Sequence, residues 1–302
     1  MDILNIGRES TYRRIRGDIP FTFDEIAKIS AELNISVDDI IKKNTRSNGY
    51  PHNIQQKNMP NSEDYFFANH LTHYNLFESI NNAKEAEVFI SLNRLFSFFV
   101  ADFSALFKFY YYRWMHTCGN VSSNFPFSKI ELPEHIASFQ QKISMKISPL
   151  KNVTFIFDRY IIARLIRELQ YYYSRNLISD EELQEIKTDL IGFLNFIENR
   201  FQSEKNATGS TYHFYLSFLD IDANSIYGIL DENVISHCYV CGKMPINLGS
   251  EYLINLHKNW MHSLRRKSML ISQSNEIIQA SFLNEQYENI NKITNDLNLY
   301  YG

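Results

Sequence analysis

The sequence predicts a mainly α protein with a small antiparallel sheet, an α+β fold divided into a short helical amino-terminal head and a larger α+β body. Three observations predict it. Apolar residues recur at three- and four-residue spacing along most of the chain, the period of half-buried helices. From about residue 211 to 246 that period gives way to alternating β-branched and aromatic runs separated by turn residues, the pattern of a small antiparallel meander. Between about 44 and 63, NTRSNGYPHNIQQKNMPNSE, apolar periodicity vanishes into Asn, Gln, Ser, Pro and Gly, the composition of a linker. The expected domains are residues 1–45 for the head, 46–63 for the linker and 64–302 for the body.

In the head, GRESTYRRIR places four arginines, Arg8, Arg13, Arg14 and Arg16, within ten residues of a chain whose formal net charge is −4. The stretch after Gly7 lacks Gly and Pro until Gly17, so it predicts a short helix. Ile6, Tyr12 and Ile15 are expected on its inner side, and Arg8, Glu9, Ser10, Arg13 and Arg14 on its outer faces. FTFDEIAKISAEL predicts a second helix with Ile26, Ile29 and Leu33 on one stripe. SVDDIIKK predicts a third, with Ser36 as N-cap and Asp38 and Asp39 at the positive end of its dipole.

In the body, SEDYFFANHLTHYNLFESI reads as a helix through Phe66, Leu71, Tyr74 and Phe77. LFSFFVA reads as a buried strand and FSALFKFYYYRWMHT as a helix. A further helix follows Pro133, and VTFIF is a short strand ahead of the helical DRYIIARLIRELQYYYSRN. Ser179 and Glu182 form a capping box that opens a long amphipathic helix. TYHFYLSFLDI, NSIYGILDE and VISHCYVCGKMPI supply the meander, and helices over about 249–267 and 274–297 close the chain.

Composition excludes several classes of function. With 44% hydrophobic and 15% aromatic residues in 302, the chain is globular rather than disordered. A mildly acidic chain does not coat nucleic acid or membrane with its whole surface, although a small basic head remains compatible. No signal peptide opens the sequence, and Asp102, Lys108 and Arg113 interrupt its most apolar stretch, so membrane insertion and secretion are not expected. The three cysteines, Cys118, Cys238 and Cys241, suit free thiols in a reducing cytoplasm. Cys238 and Cys241 form a C-x-x-C beside His237, but no second ligand pair stands at zinc spacing, so buried thiols are expected. His70, His73, His116, His135, His213, His257 and His262 form no HExxH, and no GxxxxGK[ST], GxGxxG or GxSxG occurs. No enzyme activity, cofactor or metal is therefore expected. The tyrosine clusters at 108–114 and 169–176 read as core and interface. Ser274 reads as an N-cap with Glu276 in the first turn, and Arg265, Arg266 and Lys267 as solvated charge.

The order of elements in LNIGRESTYRRIRGDIPFTFDEIAKISAELNISVDDII, a turn at Asn5 to Gly7, a helix ending at Ile15-Arg16-Gly17, a loop with Pro20 and a second helix, resembles the second half of a Cro/cI-type (XRE) helix-turn-helix domain. The resemblance implies that the helix after the turn enters the major groove of double-stranded DNA. By position, Arg8, Glu9, Ser10 and Arg13 would read base edges while Arg14 and Arg16 hold phosphates. Such a domain carries a helix and most of a second ahead of the turn. Here about six residues precede the recognition helix, so the first helix is expected to be missing. WMHSLRRKSMLISQSNEIIQASFLNEQ resembles a segment of bacterial regulators of the same kind. It implies a dimerising or signal-sensing body with an unidentified ligand or protein partner. The expectation is a cytoplasmic bacterial transcription regulator acting as a homodimer. The alternative is a protein-interaction module with a vestigial head.

Overall fold

The computed structural model describes residues 3–33, 37, 61–119, 121–147, 150, 152–202, 212–240, 244–272 and 276–294. The chain divides into two compact units, Met1–Tyr50 and Pro51–Gly302.

The first unit holds α1 (Arg8–Ile15) and α2 (Phe23–Leu33). A left-handed Asn5, φ 52°, turns the chain into α1, which starts on an extended Gly7. Gly17, φ 84°, ends it in a Schellman arrangement. Its N–H donates to Arg14 O at 3.0 Å and that of Asp18 to Arg13 O at 2.9 Å, a geometry that favours glycine because a Cβ is strained at that φ. The third helix expected at Ser36, Asp38 and Asp39 lies outside the described residues.

The second unit opens with α3 (Ser62–Asn82), whose N-cap Asn61 accepts from Asp64 N at 2.9 Å. There follow β1 (Ala86–Leu92), α4 (Ser104–Cys118), α5 (Glu134–Ile147), β2 (Val153–Asp158), α6 (Ile161–Ser174), α7 (Asp180–Gln202) and β3 (Tyr212–Ser217). The rest are β4 (Ser225–Leu230), β5 (Asn233–Val240), β6 (Met244–Asn247), α8 (Glu251–Lys267), β7 (Met269–Leu270) and α9 (Glu276–Asn291).

These elements overturn the expected small antiparallel sheet. Seven strands join in the order β6-β5-β4-β1-β2-β3-β7, beside nine α-helices among the described residues. At its centre β1, β2 and β3 are parallel, and the antiparallel strands β4, β5, β6 and β7 extend both edges. The expected meander is therefore half right. NSIYGILDE and VISHCYVCGKMPI pair antiparallel, whereas TYHFYLSFLDI contributes a parallel partner of β2. The reason is burial: β2 is buried at every position and the last five residues of β1 are buried. A strand covered on both faces has no polar alternation to read. LFSFFVA is not a strand either. Its centre is a 3-10 turn, Ser97–Val100, and the strand lies upstream in AEVFISL.

Alternation along the strands assigns the two faces of the sheet. Phe89 and Tyr227 pack with Met261 of α8, and Ile156 packs with Leu264. On the opposite face the ring of Phe155 lies 5.2 Å from Phe99, Phe214 lies 5.2 Å from Phe201, and Tyr239 stacks on His73 of α3 at 5.7 Å. The core is thus three-layered and rich in aromatic rings, which bury large areas and set edge-to-face geometry. Ser179 and Glu182 make the predicted capping box reciprocally, with bonds of 2.8 and 3.2 Å.

A candidate nucleic-acid interface

One turn of helix separates Arg14 from Ser10, and α1 uses that spacing on its inner side. Arg14 donates to Ser10 Oγ at 2.6 Å and grips Glu25 of α2 with two contacts, Nε to Oε2 at 3.0 Å and a second guanidinium nitrogen to Oε1 at 2.9 Å. Glu25 also accepts from Thr22 N at 2.9 Å, and Thr22 Oγ1 accepts from Glu25 N at 3.3 Å. Thr22 and Glu25 are therefore the capping box of α2, and Arg14 docks α1 onto it. The Arg14 hydrogen bond, with help from Thr22 N, holds the Glu25 carboxyl below its ordinary range. The spacing Thr22-x-x-Glu25 was a legible start signal for α2 that the sequence reading passed over.

The opposite side of α1 carries the other candidates. Arg8, Glu9, Arg13 and Arg16 are exposed. At about 100° per residue Arg8, Tyr12, Arg16 and Glu9 fall on one face of the helix, and Arg13 stands at its edge beyond Glu9. Arg8, Glu9, Tyr12 and Arg16 line a shallow concavity of about 420 Å³, with the Arg8 guanidinium 5.8 Å from the Tyr12 ring centre. Arg16 is held loosely by Asp18 at 3.6 Å. Tyr12 and Ile15, expected inside, are 51% and 68% exposed. The inner face of α1 is the polar one, because the guanidinium of Arg14 satisfies α2. The structure thus brings Arg8, Glu9 and Arg16 together on an open surface, leaves Arg13 exposed at its edge and turns Ser10 and Arg14 away from it.

A second polar cluster, unforeseen in the sequence, lies at the carboxyl ends of the parallel strands, where ligands of open α/β sheets commonly bind. Asp158, at the end of β2, is buried and pairs with Arg164 of α6 at 2.7 Å. Arg164 also donates to Asn93 O at 3.0 Å. The buried Asn224 accepts from the backbone N–H groups of Asn93 and Arg94 at 2.8 and 3.0 Å. Glu168 is shared by Arg94, at 2.5 Å, and Arg113. Burial opposes the charge on Arg113, but Glu168, with Tyr110 and Tyr172, together more than offset it, and the pKa of the guanidinium is raised. Each of these guanidinium groups contacts a carboxylate, with Arg94 and Arg113 sharing that of Glu168, and the contacts join α4 and α6 to the sheet. Its sequence signal was faint: Asp158 and Arg159 follow directly on the apolar VTFIF.

Cys238 is half-buried on β5, and burial pushes its thiol up; Cys241 and Ser274 lie outside the described residues. Among the described residues no group of three His, Cys, Asp or Glu could hold a metal ion, and no helix is long and apolar enough to cross a membrane. His70, His73 and His257 are buried. His257 bonds Ser236 Oγ through Nδ1 at 2.8 Å and Ser225 Oγ through Nε2 at 3.0 Å, and Ser225 continues to Ser91 at 2.8 Å. Tyr110, Tyr111, Tyr112 and Tyr172 are core residues. Comparison of the chain with protein-family models, with curated proteins and with solved structures finds no match.

Proposed function

We propose that the amino-terminal unit is a Cro/cI-type (XRE) reading head for double-stranded DNA, in a bacterial transcription regulator that acts in the cytoplasm. The observation that carries this reading is the division of labour on α1. Arg14 and Ser10 fix the helix to α2, and that leaves Arg8, Glu9 and Arg16 on one exposed face with Arg13 at its edge. Arginine can grip guanine O6 and N7 with two bonds, a glutamate can accept from cytosine N4, and an apolar side chain such as Ile15 can meet a thymine methyl. In this reading Arg8, Glu9 and Arg13 address base edges and Arg16 a phosphate, while Ser10 and Arg14 act by orienting the helix. The body of residues 64–302 dimerises or senses a signal, and the chain performs no chemistry of its own. No cofactor is needed.

Fluorescence anisotropy of the full chain on a mixed-sequence duplex pool, across a salt series, tests the reading. Counterion release makes the logarithm of the affinity fall linearly with the logarithm of salt, by about 0.9 per neutralised phosphate. A steep fall supports a DNA head. Absence of binding at low salt contradicts it. The exposed Tyr12, Ile15 and Phe23, the last 81% exposed, favour a second reading, in which the head docks on a protein. That reading predicts a partner whose capture is insensitive to salt.

A further inference from the structure

We propose that Tyr12 sets the sequence that α1 reads: its ring packs on the methyl group of a thymine, while Arg8, one turn earlier, grips a guanine within about two base pairs of it. The inference rests on the DNA reading and goes beyond it by naming what an operator must contain. Three observations carry it.

The first is direction. Ser10 and Arg14 are the residues that dock α1 onto α2, and Tyr12 is two residues from each. At about 100° per residue it stands roughly 200° around the helix from both. The side chain that points straight away from α2 is therefore the tyrosine and not an arginine. Exposure agrees: no residue of α1 is buried, and Tyr12 is 51% exposed beside Ile15 at 68%. In a groove the outermost side chain is the one nearest the base edges.

The second is the state of its polar neighbours. The Arg8 guanidinium lies 5.8 Å from the Tyr12 ring centre, and both residues line the concavity of about 420 Å³. Among the described residues no carboxylate pairs with Arg8 and nothing hydrogen-bonds the Tyr12 hydroxyl. A ring attracts a guanidinium through its face and does not consume the N–H groups. Arg8 thus keeps its donors for the O6 and N7 of a guanine, and Tyr12 keeps a donor of its own.

The third is chemical fit and spacing. Thymine alone presents a C5-methyl group in the major groove, with the acceptor O4 beside it. That pair matches an aromatic ring ending in an unpartnered hydroxyl. Four residues of helix rise about 6 Å, and base pairs stack about 3.4 Å apart, so side chains one turn apart reach bases no more than about two steps apart.

Duplexes retained by the full chain from a randomised pool at low salt supply the test. Their common sequence should hold a guanine and a thymine within two base pairs. In the tightest of them, deoxyuridine in place of that thymine removes only the methyl group. It should weaken binding, read by anisotropy, about fourfold, the contribution of one buried methyl. Tyr12→Ala should bind the thymine and uracil duplexes alike, whereas Arg8→Gln should keep the preference for the methyl and lose that for guanine. The uracil series uses the parent chain, so it decides the matter whether or not Tyr12→Ala folds. Retained duplexes without the guanine–thymine pair, or a uracil series without effect at any thymine, overturn the proposal and leave the DNA reading standing. A chain that retains no duplex at low salt overturns both.

Discussion

Adjacent arginines of α1 face different ways because an α-helix turns about 100° per residue, and the two have different partners as a result. Arg14 is enclosed by Ser10 and Glu25, whereas the side chain of Arg13 is exposed. Arg14→Ala should therefore raise amide exchange through both α1 and α2, measured by hydrogen exchange of the full chain, and Arg13→Ala should leave that exchange unchanged. The lowered pKa of Glu25 adds a pH sign. A carboxyl that ionises more readily folded than unfolded stabilises above the ordinary carboxylate range and loses that contribution as pH falls through its folded value. The buried histidines add to the same slope. Burial lowers His70 and His257 to about 4 and His73 to about 3. The unfolded chain binds protons at these groups below about pH 6.5, and the folded chain does not until near pH 4, so stability falls on acidification through that window. For His70 alone the loss is on the order of 3 kcal/mol. His70→Asn, which keeps a donor for Phe66 O, should flatten the decline in urea midpoint between pH 7 and 4.

Elements announced by local chemistry were legible, and those defined by long-range pairing were not. The capping box at Ser179 and the glycine after α1 act within a few residues, so sequence places them closely. β1 had no such signal. Its residues AEVFISL form a strand because β2 and β4 flank it, and burial on both faces erases the alternation that would have marked it. The neighbouring LFSFFVA is just as apolar but closes as a 3-10 turn, since the chain must leave the sheet there to reach α4. Parallel pairing of β3 with β2 likewise depends on two helices intervening, α6 and α7, and not on anything in TYHFYLS. The tight β1–β4 contact yields a prediction at this scale. A Cβ on Gly228 would lie 3.1 Å from Glu87 O and from Val88 Cγ2. Gly228→Val should cost about 1–3 kcal/mol through overpacking, read as a lower thermal midpoint.

For the whole molecule, the sequence separated a small head with an arginine-rich first helix from a large body, and the chain divides at Tyr50 and Pro51. What composition could not disclose was that the strands join in one sheet: VTFIF and the meander runs are separated by long helical crossovers, and β1 and the two-residue β7 carry no strand signal of their own. The candidate interface was half legible. An arginine-rich helix between two glycines is visible in the string, but which arginines remain exposed depends on Glu25, eleven residues from Arg14. The central claim is that Arg13 and Arg16 meet DNA while Arg14 serves the head's own fold. The most direct measurement is the salt slope of duplex binding by the full chain and by its Arg13→Gln and Arg16→Gln forms, with hydrogen exchange of α2 followed alongside. Each substitution should weaken binding, and loss of the phosphate contact at Arg16 should reduce the slope by about one, with α2 protection unchanged. Binding that keeps its full affinity and slope in both variants, or no binding by the parent chain at low salt, would contradict the account.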